Sequence, residues 1–218
     1  MALNKLKFNS LNVTPTAGKT IGFNSSADGL EATLSGGAMT FIKKLTASSS
    51  SDLTFVNGAS DVVLDSTYKE YIFIFNNLHY SNDACNFQVN FRDGGSSYDA
   101  TKTTTFFRAQ HDEADSTTDL SYQTGRDTAQ GTGSQVLAEN IGIGNDESLS
   151  GNLHLFNPAS TTFVKHFIAQ TQYYQTNNYS ETVFVAGYCN VTAAIDAVKF
   201  DASAGTIDAG TITLYGIN

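Results

Sequence analysis

The stretch Tyr71-Ile72-Phe73-Ile74-Phe75 decides the architecture of this chain. Every position is apolar, all five are aromatic or β-branched, and Lys69-Glu70 and Asn76-Asn77 bound the run. Five such residues are too few for a buried helix and fit a central strand covered on both faces. The remainder reads as strands that pair with this one or pack over it.

Working outward, the segments on both sides carry strand signals. Phe41 to Thr46 is the first strand of the body, and Leu53 to Val56 is a second, followed by the hairpin-type turn signal Asn57-Gly58. Phe87, Val89 and Phe91 alternate along one face until Asp93-Gly94-Gly95 ends the strand. Further strands are expected over Thr103 to Ala109, Asn152 to Phe156, Phe163 to Tyr174 and Thr182 to Cys189, and a closing strand over Thr211 to Ile217. Gln135 to Ile141 fits a strand or a short helix, and Val191 to Ala197 fits one helical turn. From Gln110 to Ser134 the only large apolar side chains are Leu120 and Tyr122, which marks a long polar loop at a functional site or an interface.

Eight to ten strands with no repeating helix predict an all-β fold: an antiparallel β-sandwich, jelly-roll-like, with an extended N-terminal arm. Periodicity alone does not separate a jelly roll from an immunoglobulin-type sandwich. The arm is residues 1–40, where Gly18, Gly22, Gly29, Gly36 and Gly37 exclude a helical period and leave two short extended pieces, Thr20 to Phe23 and Leu30 to Leu34. The body is residues 41–218. Leu6, Phe8, Ile21 and Phe23 are among the largest apolar groups of the arm and are its expected attachment anchors.

The 218-residue chain is long enough to bury a core without metal or disulfide. Only 15% of its residues are charged, against a usual ~25%. A polar, weakly charged surface suits contact with copies of itself or with carbohydrate. The net charge of -9 argues against nucleic acid or an anionic membrane as partner. No apolar run of about 18 residues predicts a membrane-spanning helix, so membrane insertion is not expected, and no secretory signal is visible behind Met1. Cys85 and Cys189 lie far apart, and without a signal peptide free core thiols are expected rather than a bridge.

Motifs for chemistry are sparse. Ala17-Gly18-Lys19-Thr20 ends like a phosphate-binding loop, but Val13 stands where the first glycine belongs. His111-Asp112-Glu113-Ala114-Asp115 offers carboxylates that suit Ca²⁺, yet reads as a solvated loop, and Asn145-Asp146-Glu147 is a weaker case. His79, His111, His154 and His166 form no local metal pair. No hydrolase elbow is present, although carboxylate pairs for glycoside cleavage meet in space rather than in sequence. The expectation is no enzyme, no cofactor and no metal. Tyr173, Tyr174 and Tyr179, with Asn177-Asn178, form an aromatic and amide cluster suited to a glycan or an interface.

The order Leu53-Thr54-Phe55 with Asn57-Gly58, then Tyr68 to Phe75, then Asp93-Gly94-Gly95-Ser96-Ser97-Tyr98, then Gly210 to Ile217, resembles virion structural proteins of tailed bacteriophages. The resemblance covers roughly residues 41–218. It implies a homotrimer made in the host cytoplasm and located on the virion, bound to other capsid or tail proteins through an N-terminal segment, with the sandwich facing outward. The short length favours capsid decoration or cement, or a short fibre protein. The alternative is the glycan-binding receptor module of a tail fibre, with a host-surface glycan as partner.

Overall fold

The computed structural model describes residues 19–23, 26, 28–34 and 38–217. The chain divides into two compact units, one ending at Ala38 and one beginning at Met39. In the first, β1 (Lys19–Phe23) and β2 (Leu30–Leu34) form an antiparallel hairpin in which Ile21 faces Ala32 and Phe23 faces Leu30. These are the two extended pieces expected from the sequence. The anchors Leu6 and Phe8 lie outside the described residues.

The second unit is an all-β antiparallel sandwich. Its strands are β3 (Met39–Thr46), β4 (Asp52–Val56), β5 (Glu70–Tyr80), β6 (Cys85–Arg92), β7 (Lys102–Asp112), β8 (Thr118–Tyr122), β9 (Gln135–Ile141), β10 (Leu149–Phe156), β11 (Lys165–Gln175), β12 (Tyr179–Cys189), β13 (Ala197–Ala202) and β14 (Ile207–Ile217). One layer runs β3-β14-β5-β10-β11-β12-β7-β8, and the other runs β9-β6-β13-β4. Among the described residues there is no helix.

The central stretch lies in β5, between β14 and β10, with Phe73 paired to Leu214 on one side and Leu153 on the other. Tyr71, Phe73 and Phe75 are buried, whereas Ile72 and Ile74 are only half-buried on the opposite face. The expectation of a strand covered on both faces is corrected: one face enters the core and the other forms the outer surface of the sheet. Phe200 of β13 meets the core face from the second layer. Its ring lies 5.3 Å from Phe73, 5.2 Å from Phe75, 6.4 Å from Phe55 and 5.8 Å from Phe87.

Three further expectations change. The region after Val191 forms no helical turn; it bends at Thr192 and Ala193 and leads into β13. There Val198 and Phe200 are buried, while Lys199 turns outward to Asp201 at 2.9 Å and to the Tyr98 ring at 5.5 Å. The polar passage from Gln110 is not one loop, because it carries the end of β7 and all of β8. Its later part is tied down by polar side chains. Gln135 accepts from Thr104 (2.6 Å) and Thr128 (3.0 Å) and donates to the Arg126 and Val136 carbonyls, so its buried amide is fully used. The strand count is also higher, fourteen among the described residues. Gln135–Ile141 resolves to a strand. Cys85 and Cys189 are buried free thiols.

The layers meet along β9 and β11. Only Gln175 and Ile141 pair as neighbouring strand residues, flanked by the backbone bonds Gly142 N to Tyr174 O (3.1 Å) and Thr176 N to Asn140 O (2.9 Å). Elsewhere hydroxyls bridge the gap. Thr171 Oγ1 donates to the Leu137 carbonyl at 2.6 Å, and the Glu139 amide donates to the Tyr173 hydroxyl at 3.0 Å. Side chains thus supply partners that a sheet ladder would otherwise give to β9.

Candidate functional site

A cleft of about 710 Å³ opens where β5, the β9–β10 loop and β14 converge, lined by Asn77, His79, Asp146, Glu147 and Asp208 among others. Beside it β14 approaches β5 closely at Gly210, where φ is +97° and a Cβ would collide with the Asn77 carbonyl. His79 sits between two acceptors, with Nδ1 2.7 Å from Asp208 Oδ1 and Nε2 3.2 Å from the Gly144 carbonyl. A carbonyl only accepts, so Nε2 carries a proton, and the Asp208 carboxylate favours a second proton on Nδ1. Burial pulls the His79 pKa down, but the hydrogen bond and charge of Asp208, with the Gly144 and Ile143 carbonyls, outweigh it and leave the pKa raised.

A ring donating from both nitrogens has no lone pair for a base or a metal. His79 is therefore a clamp joining β5, β14 and the β9–β10 loop. Glu147 is committed locally too, accepting the Gly144 amide at 2.6 Å. The sign of the pH effect follows from the raised pKa. The clamp contributes fully below the ordinary value of 6.5 and is lost as pH rises through the folded-state value. Amide exchange at Gly144 and Glu147 is expected to show an extra acceleration across that window, and His79→Gln is expected to remove the step.

A second polar cluster lies between the layers. Glu139 accepts from Arg108 at 2.7 Å and Arg126 at 2.5 Å, while Glu181 accepts the Tyr173 hydroxyl at 2.5 Å, with Arg108 at 3.7 Å. Burial raises the Glu181 pKa, Tyr173 and Arg108 oppose that, and Glu139 adds to it. Two carboxylates in unequal surroundings are what acid–base chemistry uses. Here their side chains are 5% and 0% exposed. The pair fastens β7, β9, β11 and β12 rather than facing a substrate.

A third cluster is a row across three strands, with Lys165 paired to Cys189 and Cys189 to Lys102. All three are fully buried. Lys102 Nζ donates to the Gly133 carbonyl at 2.7 Å and Lys165 Nζ to that of Val191 at 2.9 Å. Burial lowers the Lys102 pKa to about 8 and raises that of Cys189 to about 12.

The residues singled out from sequence are dispersed. Ile21 and Phe23 lie on the N-terminal hairpin, 41% and 74% exposed. Tyr173 is corrected as a surface contact: it is buried, and its hydroxyl is held between Glu181 and the Glu139 amide. Tyr174 and Tyr179 are half-buried near the β11–β12 turn. Asp112 is committed to its own turn, accepting the amides of Ser116 and Thr117 at 2.9 and 2.7 Å. Among the described residues no group of three or more His, Cys, Asp or Glu side chains is arranged to hold a metal ion. No helix among them is long and apolar enough to cross a membrane.

Sequence reasoning missed the buried charges, although strand alternation carries their signal. Glu181 shares a face with Val183 and Val185, and Lys165 shares one with Phe167 and Ala169. Comparison of the chain with protein-family models, with curated proteins and with solved structures finds no match.

Proposed function

We propose that this chain is a non-enzymatic structural protein of a phage virion, a capsid decoration or short fibre protein that attaches through its N-terminal unit and presents the sandwich outward. The observation that carries this reading is the hairpin β1–β2. Ile21, Phe23 and Leu30 share one face by register and are 41%, 74% and 40% exposed. An isolated two-stranded hairpin is marginal in water. One with such a face gains stability by laying it on another protein. The body has its own core in two layers, so it needs no help from the arm to fold.

The test is co-sedimentation with native particles of the phage that encodes the protein. A chain beginning at Met39 is expected to stay soluble and β-rich but to lose particle binding. Phe23→Asp in the full chain is expected to weaken binding at least about tenfold, since a carboxylate on an apolar contact costs 1–3 kcal/mol or more. Full-affinity binding by the shortened chain would place attachment in the sandwich and overturn the assignment.

A further inference from the structure

Over β10, β11, β12, β7 and β8 the outer face of the large sheet carries very little charge. Alternation along β10, β11, β12, β7 and β8 fixes which side chains point outward. Among the described residues, no Lys, Arg, Asp or Glu stands at an outward position of these five strands. This holds in a chain of net charge -9. In place of charge the face carries apolar and aromatic groups. Phe107 and Phe184 stack at 5.0 Å with ring planes 12° apart, and Ile168, Tyr122 and Leu120 are 51%, 49% and 74% exposed. Its polar groups are already partnered in places: Gln172 donates to Ser180 at 3.0 Å and accepts from Thr182.

We propose that this face is where a second copy of the chain docks, sheet against sheet. Two acidic copies repel wherever carboxylates meet, and burying a charge without a partner is costly. Here the carboxylates that reach the face stand at its margins, Glu70 on His154 (2.5 Å) at the β5 side and Asp115 on His111 (3.1 Å) at the β7–β8 turn, so two copies meet over a centre without Lys, Arg, Asp or Glu. The area is adequate. At about 3.3 Å per residue and 4.8 Å between strands, the five strands cover roughly 700 Å², or about 1,400 Å² over both copies, inside the range of stable interfaces.

A shape feature sets the orientation. A groove of about 420 Å³ lies on this face beside His166, Ile168, Ala186 and Tyr188. Leu120, on β8, stands across the Phe107–Phe184 stack from the groove. A two-fold axis lying over the stack brings each Leu120 to the groove of the other copy. This gives a closed, isologous dimer in place of the threefold assembly that the resemblance implies.

Light scattering on the full chain at micromolar concentration tests the proposal. The expected mass is twice the 23.4 kDa of one chain. Ile168→Asp and Leu120→Asp are expected to halve it with an unchanged β-type circular dichroism spectrum. Phe163→Asp, at a 69% exposed site in the β10–β11 loop, is expected to leave it dimeric. A monomeric or trimeric wild type, or a dimer that survives Ile168→Asp, overturns the proposal. So does a monomer retained on a neutral polysaccharide column and released by Ile168→Asp, which would make the face a glycan platform. The docking face belongs to the body alone, so particle binding and dimer mass fail separately.

Discussion

Replacing Phe200 by alanine is expected to destabilise the body by about 3–5 kcal/mol, read as the loss of unfolding free energy in urea or guanidinium. The side chain is fully buried and its ring contacts four others, Phe55, Phe73, Phe75 and Phe87, from both layers. Removing it opens a cavity where the layers interlock, and neighbours anchored on separate strands cannot collapse into it. Phe73→Ala and Phe75→Ala are expected in the same range. The Phe73/Phe200 double variant should fall short of the sum, because the two rings share one contact and one cavity. A loss below about 1 kcal/mol at Phe200 would show that the interior repacks freely and that the ring cluster is not the keystone.

Lys102 gives the second large effect, with the opposite sign. Its folded-state pKa of about 8 lies below the ordinary 10.5, chiefly because burial penalises the ammonium. Below about pH 8 the native state carries that penalty in full, and the gap corresponds to roughly 3 kcal/mol. Between the two values the unfolded chain holds a proton that the folded chain has released, so this residue makes stability rise with pH. The buried thiols act against it. Cys85 and Cys189 are raised to about 11 and about 12 from an ordinary 9, so they lower stability as pH climbs past 9. Below pH 9 the His79 clamp opposes the Lys102 rise and Lys165, also lowered by burial, adds to it, so the Lys102 share is read between pH 7 and 9 as the difference between wild type and a variant. Lys102→Met is expected to stabilise the protein at pH 7 by about 1–3 kcal/mol, net of the lost bond to the Gly133 carbonyl, and to flatten the rise across that window. A variant less stable than wild type at pH 7 would show that the ammonium is well compensated in the core.

Strand identity was legible wherever aromatic and β-branched residues alternate, as in β5, β6 and β14. It was not legible in β13, where Ala197, Lys199 and Asp201 dilute the pattern and only the opposite layer explains why Phe200 is a strand residue. In β8 the ladder to β7 supplies what a polar sequence does not announce. The burial of Tyr173 was hidden for a related reason. Its place beside Tyr174 suggests a surface cluster, whereas strand alternation sends the two rings to opposite faces. The hairpin carrying Ile21 and Phe23 was readable because glycine and local pairing suffice to define it. The absence of Lys, Arg, Asp and Glu from the outward positions needed the register of five strands, since no single stretch of sequence displays it.

The way β9 meets β11 has a mechanical consequence. Where most neighbouring strands are riveted along their length, this joint is hung on the Thr171 and Tyr173 hydroxyls and one short run of backbone bonds near Ile141. The sandwich should breathe like a book, its pages parting first along this spine. Cys85 sits opposite Ile141 on the neighbouring strand, a buried thiol beside the hinge. The rate at which a small alkylating reagent reaches that sulfur is thus a clock for the opening, and Tyr173→Phe, which unhooks one rivet, should make it tick faster.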